Sequence, residues 1–111
     1  MDQDAGVDGV LLPFFGRPAA CAQGPAFLAR MKEAPLVPVF IAENGDGTHT
    51  ISIKEAIWLE RTDDKGADIK RTTRRLMQVI EAHVRAHPGD WFWLHDRWKY
   101  CERRGITKLP E

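Results

Sequence analysis

Apolar residues along the chain fall into blocks whose period changes from one block to the next. Residues 9–15 (GVLLPFF) form a short continuous apolar run, the pattern of a buried strand that Pro13 ends or bulges. Residues 16–24 are rich in Gly, Pro and Ala and read as a loop. Pro25 suits the first turn of a helix, where its missing N–H would have no partner anyway. Phe27, Leu28 and Met31 then make the apolar face, and Pro35 stops the helix. Residues 36–42 are almost wholly apolar and β-branched, as in a strand covered on both faces, although Pro38 argues for an edge or a bulge. Asn44-Gly45-Asp46-Gly47 tolerates positive φ, and residues 48–53 return with His49, Ile51 and Ile53 alternating against Thr50 and Ser52. That combination predicts an antiparallel hairpin.

Residues 55–65 show no decisive period and read as extended chain followed by a polar loop. The strongest helical pattern covers residues 67–86. Ile69, Leu76, Ile80, His83 and Val84 share one face, and Arg71, Arg74, Arg75 and Arg85 populate the others. His87-Pro88 ends it and opens a second, short helix with Asp90 in its first turn. Trp91, Leu94 and Trp98 stand at i, i+3 and i+7, a stripe expected to pack on Ile80 and Val84. From Glu102 onward the chain is polar and reads as a flexible tail over residues 102–111. Strands and helices in alternation predict an α/β fold, a layered sheet with flanking helices.

Composition narrows the class. The chain has 111 residues, enough for a single domain with one modest core. Sixteen basic and sixteen acidic side chains cancel, which argues against a nucleic-acid binder. The charge is nonetheless split: residues 1–60 hold four basic and eight acidic side chains, residues 61–111 twelve and eight. Attraction to an anionic partner is therefore expected from the C-terminal half, with ordinary solvated surface as the alternative. The apolar runs are too short to span a membrane, and no basic region precedes an apolar one as in a signal peptide. Cys21 and Cys101 stand far apart with no metal-ligand spacing, so two free thiols are expected, a disulfide being the other option.

Three places carry candidate chemistry. Asp2-Gln3-Asp4 places two carboxylates where they can orient a base or bind a cation, or simply form a solvated terminus. In Phe14-Phe15-Gly16-Arg17-Pro18, Gly16 permits a sharp turn and Arg17 offers a planar cation at a strand end, suited to phosphate or carboxylate. A surface arginine capping a loop is the alternative. Residues 91–99 (WFWLHDRWK) concentrate three of the four tryptophans, with Arg97 and Lys99 placed to snorkel toward anionic head groups. His95 is a candidate general base there, against a packed, hydrogen-bonded histidine. No nucleophile elbow, P-loop or dinucleotide fingerprint is present in the sequence.

The blocks GVLLPFFGRPAACAQGPAFLARMKEAPLVPVFI and HPGDWFWLHDRWK, separated by a basic amphipathic helix, resemble the C-terminal part of the bacterial lipid A biosynthesis acyltransferases. These are the lauroyl and myristoyl transferases of the lysophospholipid acyltransferase superfamily. The likeness covers residues 2–100 in the same block order. The mycobacterial phosphatidylinositol mannoside acyltransferases share the first block, whereas LHDRWK favours the lipid A type. The resemblance implies transfer of a fatty acyl chain from an acyl carrier protein thioester to a hydroxyl of a lipid A precursor. It also implies an α/β glycerolipid-acyltransferase-like fold at the cytoplasmic face of the inner membrane, with no metal or cofactor. Asp2 would lie near the active site, with Gly16 and Arg17 at the neighbouring strand end and Arg97 as a further substrate contact.

Catalysis in that family rests on a histidine followed five positions later by Asp or Glu. Here the residues five positions after His49, His83, His87 and His95 are Lys54, Pro88, Phe92 and Tyr100, so that motif is absent from this sequence. The family's N-terminal membrane anchor is absent too. The expectation is therefore the C-terminal part of a longer enzyme, inactive alone, soluble, and prone to self-association through an uncovered apolar face. The alternative is a non-catalytic module that binds anionic lipid or a partner.

Overall fold

The computed structural model describes residues 4–90 and 97–109. Its architecture mixes helices with small antiparallel sheets, an α/β arrangement whose strands form two separate two-stranded ribbons. A single 3-10 turn over Gly6–Asp8 leads into β1 (Val10–Phe14), which pairs with β2 (Arg17–Cys21). Helix α1 spans Gly24–Lys32, and the second ribbon joins β3 (Val39–Glu43) to β4 (His49–Ile53). The long helix α2 covers Lys65–Ala86, a 3-10 turn follows at Pro88–Asp90, and α3 covers Lys99–Arg103.

The Gly/Pro/Ala segment expected as a loop is the strand β2. Both strands of a two-stranded ribbon are edges, so Pro13 and Pro18, which face each other in the register, are tolerated there. The turn between the strands is Phe15-Gly16, both at positive φ (52° and 75°), as a two-residue hairpin loop requires. Gly9 is required for a different reason. A Cβ there would meet Ala5 Cβ at 2.9 Å and the Ala20–Cys21 backbone at 3.0 Å, so glycine lets the N-terminal segment lie against β2. The Ala5 N–H donates to Ala20 O across that contact, at 3.1 Å.

The core forms where Leu12, Phe14, Ala19 and Cys21 of this ribbon meet Met77 of α2, with Val10, Phe15, Ile80 and Trp98 packed around them. Helix α2 matches the predicted pattern, and Asp64 caps it by accepting from the Ala67 N–H at 3.1 Å. Its buried face is more polar than the pattern suggests, since Asp68, Thr72 and Thr73 join Ile69, Leu76, Met77 and Val84 there. Helix α1 is turned the other way from its prediction. Ala26 and Ala29 are buried, while Phe27, Leu28 and Met31 face outward, because small side chains allow close approach to α2.

The hairpin across Asn44–Gly47 forms as predicted, closed by the Asn44 N–H donating to Thr48 O at 2.9 Å. Its strands are not covered on both faces. Val39, Ile41, Ile51 and Ile53 share a face that is open to solvent, whereas Phe40 on the opposite face stacks on His83 at 3.9 Å. The chain between β4 and α2 is tied back by paired backbone hydrogen bonds between Leu36 and Ile57.

Candidate functional site

The turn that presents Gly16 and Arg17 is held by α2. The Phe15 N–H donates to a carboxylate oxygen of Glu81, and Glu81 also accepts from Arg85 Nε at 3.4 Å. The Arg85 guanidinium lies 4.5 Å from the centre of the Phe15 ring, and that ring meets Phe14 edge to face at 4.9 Å. These contacts offset the cost of a phenylalanine at positive φ. They fix the direction in which β2 leaves the turn, and with it the position of Arg17.

Arg17 occupies the first position of β2, directly after the hairpin turn, and so stands at a strand end as expected. Its guanidinium stacks 4.4 Å from the Trp98 ring and donates to the carboxylate of Glu102. Trp98 is itself anchored, donating from Nε1 to Phe14 O at 3.1 Å. Gly16, Arg17, Trp98 and Glu102 line one shallow depression of about 370 Å³. Sequence reasoning places Glu102 in a flexible tail. In the structure it belongs to α3, whose neighbour Cys101 is buried and accepts from the Ile106 N–H at 2.9 Å. Only the aromatic and charged spacing of Trp98 and Glu102 on one side of α3 hints at that pairing.

Arg97 is not where a substrate or head-group contact requires it. It is fully buried. Nη1 donates to Ala20 O at 2.8 Å, while Nη2 reaches Cys21 Sγ at 3.4 Å and Met77 Sδ at 3.9 Å. Nε has no hydrogen-bond partner among the described residues. The arginine pins the chain before α3 to β2 and α2, so it cannot snorkel to a membrane. Trp98 likewise packs on Phe14, at 5.8 Å between ring centres. Trp91, Leu94 and His95 lie outside the described residues, as does Asp2.

Asp4, beside Asp2 in sequence, has a defined role. It accepts from the Gly6 N–H at 3.0 Å and from the Tyr100 N–H at 2.7 Å, joining the N-terminal segment to α3. The two cysteines are free thiols, both buried. Burial pushes the Cys21 thiol up, against the opposing pull of Arg97, and burial with the Asp4 charge pushes Cys101 up. Both therefore stay protonated at neutral pH and are poor nucleophiles. Among the described residues no group of His, Cys, Asp and Glu could hold a metal ion, and no helix is long and apolar enough to cross a membrane.

On α2 the buried Asp68 carboxylate accepts four hydrogen bonds, a feature the helical pattern conceals. It accepts from the Thr62 hydroxyl at 2.5 Å and the Thr62 N–H at 2.8 Å. Arg30 and Arg71 each add a bond at 3.0 Å. The Thr62 hydroxyl leads these donors in holding the Asp68 carboxyl well below the usual range. The arrangement locks α1, the 62-loop and α2 together.

Residues 1–100 match the family model of the bacterial lipid A biosynthesis acyltransferases. The chain is also similar to the phosphatidylinositol mannoside acyltransferase of Mycolicibacterium smegmatis, 30% identical over 97 residues, which is 87% of this chain and 30% of that protein. The proteins of the same name from two strains of Mycobacterium tuberculosis are 30% identical over 97 residues, covering 29% of their length. The chain thus spans about three-tenths of the length of the curated relatives it matches. With nine-tenths of its residues inside the family match, the chain belongs to the bacterial lipid A biosynthesis acyltransferase family.

Proposed function

We propose that the chain is the C-terminal portion of an acyltransferase that moves a fatty acyl chain from acyl carrier protein to a hydroxyl of a lipid A precursor, at the cytoplasmic face of the inner membrane. The observation that carries this reading is the family match over residues 1–100. In such a transfer a base takes the hydroxyl proton, the oxygen attacks the thioester carbonyl, and the carrier's thiol leaves. A histidine with a carboxylate five positions on is absent from this sequence, so the base comes from elsewhere in the longer protein. This segment supplies substrate contacts and support. Asp2 stabilises the protonated base, and Arg17 receives an anionic group of the substrate. The Arg17–Glu102 pair is about half exposed on both sides. An exchange of Glu102 for a phosphate therefore costs little, since exposed pairs contribute about 0–1 kcal/mol.

The mycobacterial relatives support a second choice of acceptor, a phosphatidylinositol mannoside. An acyl-transfer assay with labelled acyl carrier protein and each acceptor in turn separates the two. The 111-residue chain alone should give no product above a no-protein control. A missing general base removes roughly 10²–10⁴-fold of rate. In the full-length protein Asp2→Asn should lower kcat, and Arg17→Ala should chiefly raise KM for the anionic substrate. Turnover by the chain alone that is lost in His95→Ala would make His95 the base. Anionic-lipid binding with no turnover in the full-length protein would support the non-catalytic module instead.

A further inference from the structure

The turn of the first ribbon carries a residue that its shape disfavours. A two-residue hairpin loop with both members at positive φ is ordinarily Asn-Gly, Asp-Gly or Gly-Gly, because those residues tolerate the left-handed region. Gly16 fits that rule at φ 75°. Phe15 does not, since it holds φ 52°, where a bulky side chain crowds the backbone. Left to itself, such a residue returns to negative φ and the turn changes type.

One side chain of α2 acts on Phe15 twice. Glu81 accepts from the Phe15 N–H, which ties down the backbone. The same carboxylate pairs with Arg85 one helical turn on, at 3.4 Å, and the Arg85 guanidinium lies 4.5 Å from the centre of the Phe15 ring. Glu81 itself does not line the depression around Arg17 and Trp98. What does line it depends on the turn. Arg17 follows Gly16 and stands opposite Phe14 in the register, and Trp98 donates to Phe14 O at 3.1 Å. Both members of the Arg17–Trp98 stack, 4.4 Å apart, are therefore set by the residues that flank the turn.

We propose that Glu81 is a positioning residue for Arg17: through the Phe15 N–H and the Arg85 guanidinium it holds the Phe15–Gly16 turn in the left-handed form that presents Arg17 over Trp98. Glu81 touches neither Arg17 nor the depression, so it acts only through the turn. Its effect on turnover rests on the reading of Arg17 as a substrate contact, whereas its hold on the turn does not.

Proton NMR of the 111-residue chain tests it, because a guanidinium over an indole face carries its neighbouring methylene protons upfield. In Glu81→Ala the Arg17 Hδ resonances should return most of the way to their free-arginine position. Glu81→Gln keeps a carbonyl for the Phe15 N–H and should retain most of the upfield shift. Asp68→Asn removes another carboxylate of α2, one that does not reach the turn, and should leave Arg17 unmoved even as it lowers stability. Phe15→Asn supplies a residue that accepts positive φ unaided, so adding Glu81→Ala to it should change nothing further. That pair of variants keeps the test valid if Glu81→Ala alone fails to fold. An unmoved Arg17 in Glu81→Ala, an equal loss in Asp68→Asn, or a further loss when Glu81→Ala joins Phe15→Asn would each overturn the proposal. In the longer protein Glu81→Ala should raise KM for the anionic substrate about fivefold with little change in kcat, and should add nothing to Arg17→Ala. A displaced Arg17 with KM untouched by Arg17→Ala would support the hold on the turn and overturn the substrate contact.

Discussion

The two ribbons have strands of equal length and comparable apolar content, yet β1–β2 is the core of the molecule and β3–β4 leaves one face bare. Neighbours make the difference. The first ribbon receives Met77 and Glu81 from α2, Trp98 and Arg97 from the chain before α3, and the N-terminal segment that Gly9 admits. Small residues on β2, Ala19 and Ala20, let all of these approach. The second ribbon meets α2 chiefly through Phe40 on His83, and nothing among the described residues covers Ile51 (63% exposed) or Ile53 (72%). Burial here follows from what packs against a strand, and β-branched content alone does not secure it.

Truncation at matched sites should separate the ribbons sharply. Phe14→Ala removes a wholly buried ring and should cost about 3–5 kcal/mol in urea unfolding. Ile51→Ala, on the bare face, should change stability by about 0.5 kcal/mol at most. Similar costs at the two sites would show that the second ribbon is covered in solution and break the comparison.

Arg97 tests what holds the first ribbon to α3. Arg97→Ala leaves a cavity and strips Ala20 O of a donor, for an expected loss of about 2–4 kcal/mol. Arg97→Met fills the space and removes a desolvated charge that has no carboxylate partner among the described residues, so it should cost clearly less. A methionine variant as unstable as the alanine one would mean that the bond to Ala20 O, and not volume, fastens the ribbon.

The legible parts of the fold were those written in one local code. The Asn-Gly-Asp-Gly turn between β-branched runs specified its hairpin, and the long period of α2 specified its helix. β2 was hidden because Gly, Pro and Ala read as loop residues unless the partner strand is known. On α1, size and hydrophobicity favour burial of Phe27, Leu28 and Met31, whereas close helix packing selects Ala26 and Ala29. Arg97 and Asp68 were illegible for one shared reason. A charged side chain is read as surface, and only tertiary donors and acceptors make its burial tolerable. At the candidate site, Gly16 and Arg17 could be found from the turn, but Glu102 could not, since its pairing spans 85 positions.

Asp68 carries the comparison to the α1–α2 junction through its response to acid. Its folded pKa lies below the unfolded value of about 3.9. The stability it contributes is therefore complete above that value and is lost as pH falls from about 4 toward the folded pKa. Melting temperatures at pH 7 and pH 2.5 should fall more for the parent chain than for Asp68→Asn, which has no carboxylate left to protonate. Asp68→Asn should already melt lower at pH 7, because an amide cannot accept all four bonds. Parallel pH profiles for the two proteins would remove Asp68 from the acid response.

The smallest effect on stability should accompany a clear effect on association. The register sets Val39 opposite Ile53 and Ile41 opposite Ile51, so four apolar side chains form one exposed patch on a ribbon to which no further strand pairs among the described residues. Such a surface favours contact between copies of the chain. In sedimentation velocity the parent should show a concentration-dependent rise in weight-average mass, and Ile53→Lys should suppress it while unfolding stability stays within about 0.5 kcal/mol. Added positive charge alone opposes association, so Gln78→Lys on the exposed side of α2 supplies the same charge away from the patch. If both variants disperse the chain equally, charge accounts for the result and the bare face does not. If Ile53→Lys alone does, the face of β3–β4 is the contact, and the difference between the two ribbons extends from packing to assembly.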